Sequence, residues 1–388
     1  MNAESRFLRA VCRVALDETE NQIAVDNSVF DEDKLYNLGL YHQILPLIAD
    51  YRATLSEIFP ALSATFFEKC RINALESAGR LIVYEKFLAN LDQLFWAASI
   101  EYRLFKGPVL AYELYEFPYQ RPFGDLDILV QPESLEKVHT ILGELGCELD
   151  DDLYTNFPAE IIKKYRFARH YISVKNPVVA IDVHTGLSSR LHPFHFDFAD
   201  FWSHSRIIKI GDRKYQTFDL SHQALYLLYH AFKHYYFKLI WIIDCRQNTK
   251  LPDFDKADFQ HLIQKYNLSR VWNIYSRVSS DLWNDSPQLF EYPKVRCSGL
   301  SYKINPEVIL QGGLFTSLAR ARILLPLIYL PRLSQKFAYL WRQMFPPRAV
   351  IWDFYSSPNL KPTWRNYLRL RCQALSQLLK KKISEDPF

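Results

Sequence analysis

Two aspartates one residue apart, Asp125 and Asp127, stand at the head of the apolar run Leu126-Asp127-Ile128-Leu129-Val130. In a strand, alternate side chains share a face, so the two acids point one way while Leu126 and Ile128 point into a core. Two adjacent carboxylates repel each other unless a cation bridges them. Hard oxygen donors of this kind suit Mg2+, which works together with substrate phosphates. An Asp-x-Asp pair also describes a solvated turn, so its neighbours matter. Glu101–Phe105 reads as a short strand, Lys106-Gly107-Pro108 as a tight turn, and Val109–Glu116 as a helix. A glycine turn between strand and helix lets a phosphate approach backbone N–H groups. Lys106 and Arg121 are suited to phosphate, one as a point charge and one as a fork.

A third acid follows. His170–Val183 reads as two short strands joined at Asn176-Pro177. In the second, Val178–His184, Asp182 and His184 share a face. If that face meets Asp125 and Asp127, three carboxylates surround one metal pocket, as two-metal phosphoryl chemistry requires. An edge-strand acid in solvent is the alternative for Asp182. His184 is left open between contacting phosphate, ligating metal, orienting Asp182, and a structural hydrogen bond.

Further on, His230, Lys233 and His234 lie at i, i+3 and i+4, with Lys238 one turn beyond. A His-x-x-x-His pair can bind zinc, but Ala231-Phe232-Lys233 lacks the general-base glutamate and places a cation between the histidines. The favoured reading is a polar face lining a nucleotide cleft, with Lys233 or Lys238 on the triphosphate and Asp244 orienting one of these bases. A domain-interface helix is the alternative.

These residues carry a resemblance. Lys106-Gly107, Arg121-x-x-x-Asp125-x-Asp127-Ile128-Leu129-Val130 and Ile181-Asp182-Val183-His184 resemble the uncharacterised bacterial nucleotidyltransferase family of the DNA polymerase β-like superfamily. Leu40–Ile48, Leu228–Asp244 and Leu340–Pro347 resemble further segments of it, so the likeness spans most of the chain. It implies an α+β fold, with a mixed-sheet core flanked by helical regions. It implies Mg2+-dependent transfer of a nucleoside monophosphate from an NTP, with pyrophosphate released. Mn2+ is an alternative ion, and ATP the favoured NTP. Asp125, Asp127 and Asp182 match the metal-binding catalytic acids, Lys106 and Gly107 the phosphate turn. Many superfamily members carry Gly-Ser at that turn. Lys106-Gly107-Pro108 lacks the hydroxyl, and Pro108 lacks an N–H, which leaves Lys106 to compensate. Lys106, Gly107, Arg121, Lys233, His234 and Lys238 are the expected nucleotide-binding set, with His184, His230 and Asp244 orienting. The acceptor is unspecified: small molecule, peptide, protein or RNA. A phosphotransferase on the same ligands, and a non-catalytic nucleotide-binding or scaffold protein, are the rival readings.

The elements that must position these residues divide as a helical region over 1–97, an α/β core over 98–218, a helical region over 219–308 that closes the cleft, and a basic, aromatic tail over 309–388. Ala61–Ala98 and Pro132–Leu145 read as helices. Ile207–Ile210 and Tyr215–Phe218 read as a hairpin, and Ser221 as a helix N-cap. Residues 291–308 read as a linker.

Bulk properties agree. The 388 residues carry 47 basic and 43 acidic side chains, a net charge of +4, too mild to demand nucleic acid. Arg365, Arg369 and Arg371 with Trp364 and Tyr367 would serve an RNA acceptor, or pack as a tail. Lys380-Lys381-Lys382 reads as a solvated helix end. The six cysteines (12, 70, 147, 245, 297 and 372) lack metal spacing and read as free thiols in a reducing compartment. Charged residues throughout 1–20 argue against a signal peptide. Ile323–Leu330, interrupted by Pro326, is too short to span a bilayer; a packed helix is favoured there, with a membrane-surface segment as the alternative. The expectation is a cytoplasmic enzyme with no integral membrane segment.

Overall fold

The structure is a computed structural model. It describes residues 2–15, 23–150, 167–174, 179–188, 192–234, 236–283, 306–311, 327, 330, 332–344, 363, 365, 366, 368–370 and 372. The expected Asn176-Pro177 turn, residues 291–305 of the linker, Cys297, Trp364, Tyr367, Arg371, Lys380–Lys382, most of Ile323–Leu330 and the last three residues of the Leu340–Pro347 segment lie outside them.

The chain opens with helices α1 (Ala3–Val14), α2 (Glu32–His42), α3 (Leu45–Asp50), α4 (Arg52–Ile58) and α5 (Ala64–Ala97). The last is 34 residues long, about 50 Å of helix. Ser63 caps it by accepting from the Phe66 N–H, while Glu32 accepts from the Ser63 hydroxyl and N–H. The core follows: β1 (Tyr102–Phe105), α6 (Gly107–Leu114), β2 (Leu126–Val130), α7 (Leu135–Glu144), β3 (Cys147–Leu149), β4 (Ala168–Ser173) and β5 (Ala180–His184). After it come α8 (Phe198–Ser203), the hairpin β6 (Ser205–Ile210) and β7 (Arg213–Phe218), then α9 (Leu220–Lys233), α10 (Leu239–Asn248), α11 (Lys256–Lys265), α12 (Ser269–Trp283), α13 (Pro306–Leu310) and α14 (Leu333–Met344).

The sheet is mixed, in the order β1-β2-β5-β4-β3. Only β2 and β5 run parallel; the other neighbours are antiparallel. Its alternation sorts side chains between two apolar clusters. Leu104, Leu126, Ile128, Val130, Ile181 and Val183 face α7 and the second half of α5, where Leu88, Leu91, Phe95, Val138 and Leu142 complete one cluster. Phe105 and Leu129 point the other way, into a cluster built with α1–α4, the first half of α5 and α9–α12. Burial on both faces explains why all five residues of β2 are buried. Helices on both sides of a mixed sheet make the fold α+β, as expected.

Several local expectations shift. The 132–145 helix begins as a 3-10 turn at Pro132–Ser134. The third-acid strand starts at Ala180 rather than Val178. The cap of α9 is Asp219, not Ser221, because the Asp219 carboxylate accepts from both the N–H and the ring Nδ1 of His222. The single helix read from Leu228 to Asp244 is two helices. α9 ends at Lys233, Tyr236 takes a positive φ of 58°, and Lys238 stands at the N-cap position of α10. Lys238 therefore does not continue the helical face of His230 and Lys233. Cys12, Cys70, Cys147, Cys245 and Cys372 are free thiols. Among the described residues, no helix is long and apolar enough to cross a membrane.

Candidate active site

Parallel pairing of β2 and β5 sets Asp127 directly beside Asp182. Both lie on the sheet face opposite Leu126, Ile128 and Ile181, so the period-two alternation that fills one core turns the acids to the other side. Asp125 precedes the strand by one residue. Tyr84 of α5 fixes both strand entries, donating to the Gly124 carbonyl and accepting from the Ala180 N–H at 3.1 Å.

The Lys106-Gly107 turn meets this acid pair from β1. Gly107 has φ +31°, and a Cβ there would lie 3.0 Å from the Asp125 carbonyl oxygen. Glycine is thus required by both conformation and approach. Lys106 itself has φ 55° and ψ −143°, a region that a non-glycine residue holds at a cost of about 1–3 kcal/mol. The surrounding structure sustains that strain, and its product is contact. Lys106 Nζ lies 2.6 Å from Asp127 Oδ1 and sits near the Phe105 and Tyr226 rings.

Asp127 is 1% exposed. His184 Nε2 donates to the same Oδ1 at 2.9 Å. Burial pushes the Asp127 carboxyl up, but Lys106 and His184 outweigh it and hold it below its ordinary value. Lys106 is held above its ordinary value in turn, because Asp127, Tyr226 and Asp125 outweigh its own burial. Among the described residues no cation hydrogen-bonds Asp125, and Lys106 and Arg121 only partly offset its surroundings. Burial, then the Asp127 charge, push it up to about 6, with Asp182 adding to the rise. Asp182 receives a hydrogen bond from His170 Nδ1 at 2.6 Å, across the β4–β5 register that pairs the two residues. That bond raises His170.

So His184 serves Asp127, while His170 serves Asp182. His170 was not singled out in the sequence; its only signal is its place opposite Asp182 in the β4–β5 register. Ligand atoms of Asp127, Asp182 and His184 lie within 4.8 Å of one another. His184 Nδ1 is buried without a hydrogen-bond partner among the described residues. Carboxylate-rich donors, a raised Asp125 and an orphaned imidazole nitrogen all fit a divalent cation.

The opposite wall comes from α9 and α10. Lys233 lies over the Phe167 ring at 5.6 Å. Burial, then the Lys106 charge, lower its pKa, while Asp127 and Asp182 pull it back up. Lys238 lies over Trp241 at 5.4 Å and is lowered by burial and Arg121, against Asp125. The His230 and His234 rings lie 4.7 Å apart, tilted by 57°, and each contacts Trp241. Burial and then Lys106 drive His230 well below its ordinary value, so it is neutral at neutral pH. Among the described residues no third metal-ligating side chain joins these histidines.

Arg121 and Asp244 form a buried ion pair at 2.9 Å, and Tyr115 donates to Asp244 at 2.8 Å. Asp244 therefore holds Arg121 and Tyr115, and orients neither the lysines nor the histidines of α9. A second Asp-His group brings together Asp200 of α8, His204 at its end and His222 of α9. Lys265 at 2.8 Å and Tyr266 already hold Asp200, and the two imidazoles stack nearly parallel, so their lone pairs do not converge on one ion.

No curated protein and no solved structure matches the chain. A family model described as uncharacterised nucleotidyltransferase matches residues 28–284, which include every residue of both walls. With that match over more than half its length, the chain belongs to this uncharacterised nucleotidyltransferase family.

Proposed function

We propose that the protein moves a nucleoside monophosphate from an NTP, ATP first among them, to an acceptor hydroxyl in a Mg2+-dependent reaction that releases pyrophosphate. The observation that carries this reading is the register of Asp127 beside Asp182 with Asp125 two residues upstream, opposite the lysines of α9 and α10. Residues 98–218 are then the catalytic core and 219–308 the segment that closes the cleft.

Asp125, Asp127 and Asp182 would hold the metal, whose chemistry when bound is to neutralise phosphate charge and orient the reacting oxygens. Lys106 is already directed at Asp127 by its strained turn, so it stands where a phosphate held there would meet it. Lys233 and Lys238 offer positive charge from the other wall. His170 keeps Asp182 turned toward the site, and Asp182 accepts the proton of the acceptor hydroxyl. That oxygen forms its bond to the α-phosphorus in line as the bond to pyrophosphate breaks. Positioning and charge stabilisation account for the rate. The acceptor class is open among small molecules, peptides, proteins and RNA.

An assay with α-labelled NTPs and Mg2+, with cell extract as acceptor, tests this. Wild type is expected to label an extract component and release pyrophosphate, and Asp127→Asn to be at least about a thousandfold slower. Transfer of γ-label with ADP formed would make it a phosphotransferase instead. No transfer and no Mg2+-dependent NTP binding would overturn the reading in favour of a non-catalytic scaffold protein.

A further inference from the structure

The most exposed apolar ridge on a described helix lies far along the chain from the acid site, on α14. Leu333, Phe337 and Trp341 are 74%, 73% and 65% exposed. They sit at i, i+4 and i+8, so they form one line along the helix. By helical period Leu340, which is half-buried, falls in the same arc. Tyr339, on the opposite side, is 6% exposed, and nearby Arg270 donates to the Leu330 carbonyl at 3.2 Å. The helix is therefore seated on the body by its polar-aromatic side and turns its apolar side outward. That is the reverse of what a surface helix ordinarily does.

Along the sequence, the charge in and beside α14 has one sign. Helix α14 contains no acid, and Arg332 is exposed at its start. Lys336 lies beside the apolar line, and Arg342 follows Trp341 in sequence. From Val308 to Trp352 there is no Asp or Glu, against six Arg and Lys residues: Arg320, Arg322, Arg332, Lys336, Arg342 and Arg348. The chain as a whole is nearly balanced, with 47 basic and 43 acidic residues. An acid-free run of this length concentrates positive charge along the sequence, and Arg332 and Lys336 carry it at α14.

We infer that α14 docks on an anionic lipid surface, with Leu333, Phe337 and Trp341 entering the headgroup–acyl boundary and Arg332 and Lys336 meeting lipid phosphates. An amphipathic helix with aromatic residues on one side and bases beside them binds in the plane of such an interface. A second copy of the chain suits the ridge less well. A specific protein interface buries about 800 Å2 per partner through some 20–30 residues, whereas this ridge offers three exposed side chains on a helix about 18 Å long. A bilayer accepts a ridge without needing a shaped counterpart. This inference is independent of the nucleotidyl-transfer reading, since no residue of either wall takes part.

Sedimentation of the full-length chain with vesicles tests it. One set is pure phosphatidylcholine; the other contains about 30 mol % phosphatidylserine. The chain is expected to sediment with the anionic vesicles only, and less as salt screens the charges. Phe337→Glu/Trp341→Glu is expected to lower the bound fraction at least about tenfold. Lys336→Glu, which leaves the apolar ridge whole, is expected to lower it about threefold or more. Circular dichroism and the thermal midpoint report whether each variant is folded. Failure of folded wild type to bind anionic vesicles, or binding undiminished in both variants, overturns the inference. So does a wild-type dimer without vesicle binding that the double variant converts to monomer, which would make the ridge a contact between copies.

Discussion

The two walls of the candidate site treat charge in opposite ways. On the sheet wall, acids and bases meet at hydrogen-bond distance: Lys106 and His184 on Asp127, His170 on Asp182. On the helical wall, Lys233 and Lys238 lie over Phe167 and Trp241, and among the described residues no carboxylate comes within ion-pair distance of either. Burial lowers both lysines, whereas Asp127 holds Lys106 above its ordinary value. The sheet wall is therefore largely neutralised from within. The helical wall keeps positive charge that a ligand must neutralise, which is the electrostatics a polyanionic substrate calls for.

The largest effect expected from breaking this contrast is at Lys106. Lys106→Met leaves Asp127 buried with His184 alone, and removing one partner of a buried ion pair costs about 3–5 kcal/mol. Urea unfolding should show that loss. The double variant Lys106→Met/Asp127→Leu should recover much of it, because neither charge then remains buried. An unchanged midpoint for Lys106→Met would mean that the sheet wall is not held by its ion pair.

Asp125 is the exception within the sheet wall, and it sharpens the contrast through pH. Its carboxyl rises from the ordinary 3.8 to about 6 on folding. Between those values the folded protein binds a proton that the unfolded chain has lost. Stability therefore falls as pH rises through that window and stays lower above it, by roughly 2–3 kcal/mol for this group. Without divalent ions, Asp125→Asn should be the more stable protein near pH 7.5 by about that amount, with the advantage gone near pH 4. Mg2+ should raise the wild type near pH 7.5 and do less for the variant. An equal response of the two to Mg2+ would remove Asp125 from the metal set.

The difference between the walls is also a difference in what the sequence carried. The acids of the sheet wall follow from a two-residue period beside a glycine turn, and both are local patterns. The partners are not local. His170 reaches Asp182 only through hairpin register, and Arg121 meets Asp244 across 123 residues. The break between α9 and α10 was hidden because Tyr235–Lys238 contains neither glycine nor proline. The chain turns there on Tyr236, at a positive φ that this residue type seldom adopts. The cap of α9 fell between two capping residues two positions apart, and the second hydrogen bond from the His222 ring favours Asp219. The long helix α5 and the β6–β7 hairpin were legible because their apolar periods are long or sharply bounded.

The smallest expected effect is at Lys233, and its sign separates the walls most cleanly. Lys233→Met removes an ammonium that has no carboxylate at ion-pair distance among the described residues. The thermal midpoint should hold or rise slightly, unlike that of Lys106→Met. Activity should respond instead. The KM for NTP should rise about tenfold, the equivalent of about 1.4 kcal/mol of phosphate contact. Lys233→Arg keeps the charge and should recover part of that loss. If Lys233→Met melts as early as Lys106→Met, the helical wall is as internally neutralised as the sheet wall and the contrast fails. If the midpoint holds but KM does not move, the charge on α9 is not there for the nucleotide.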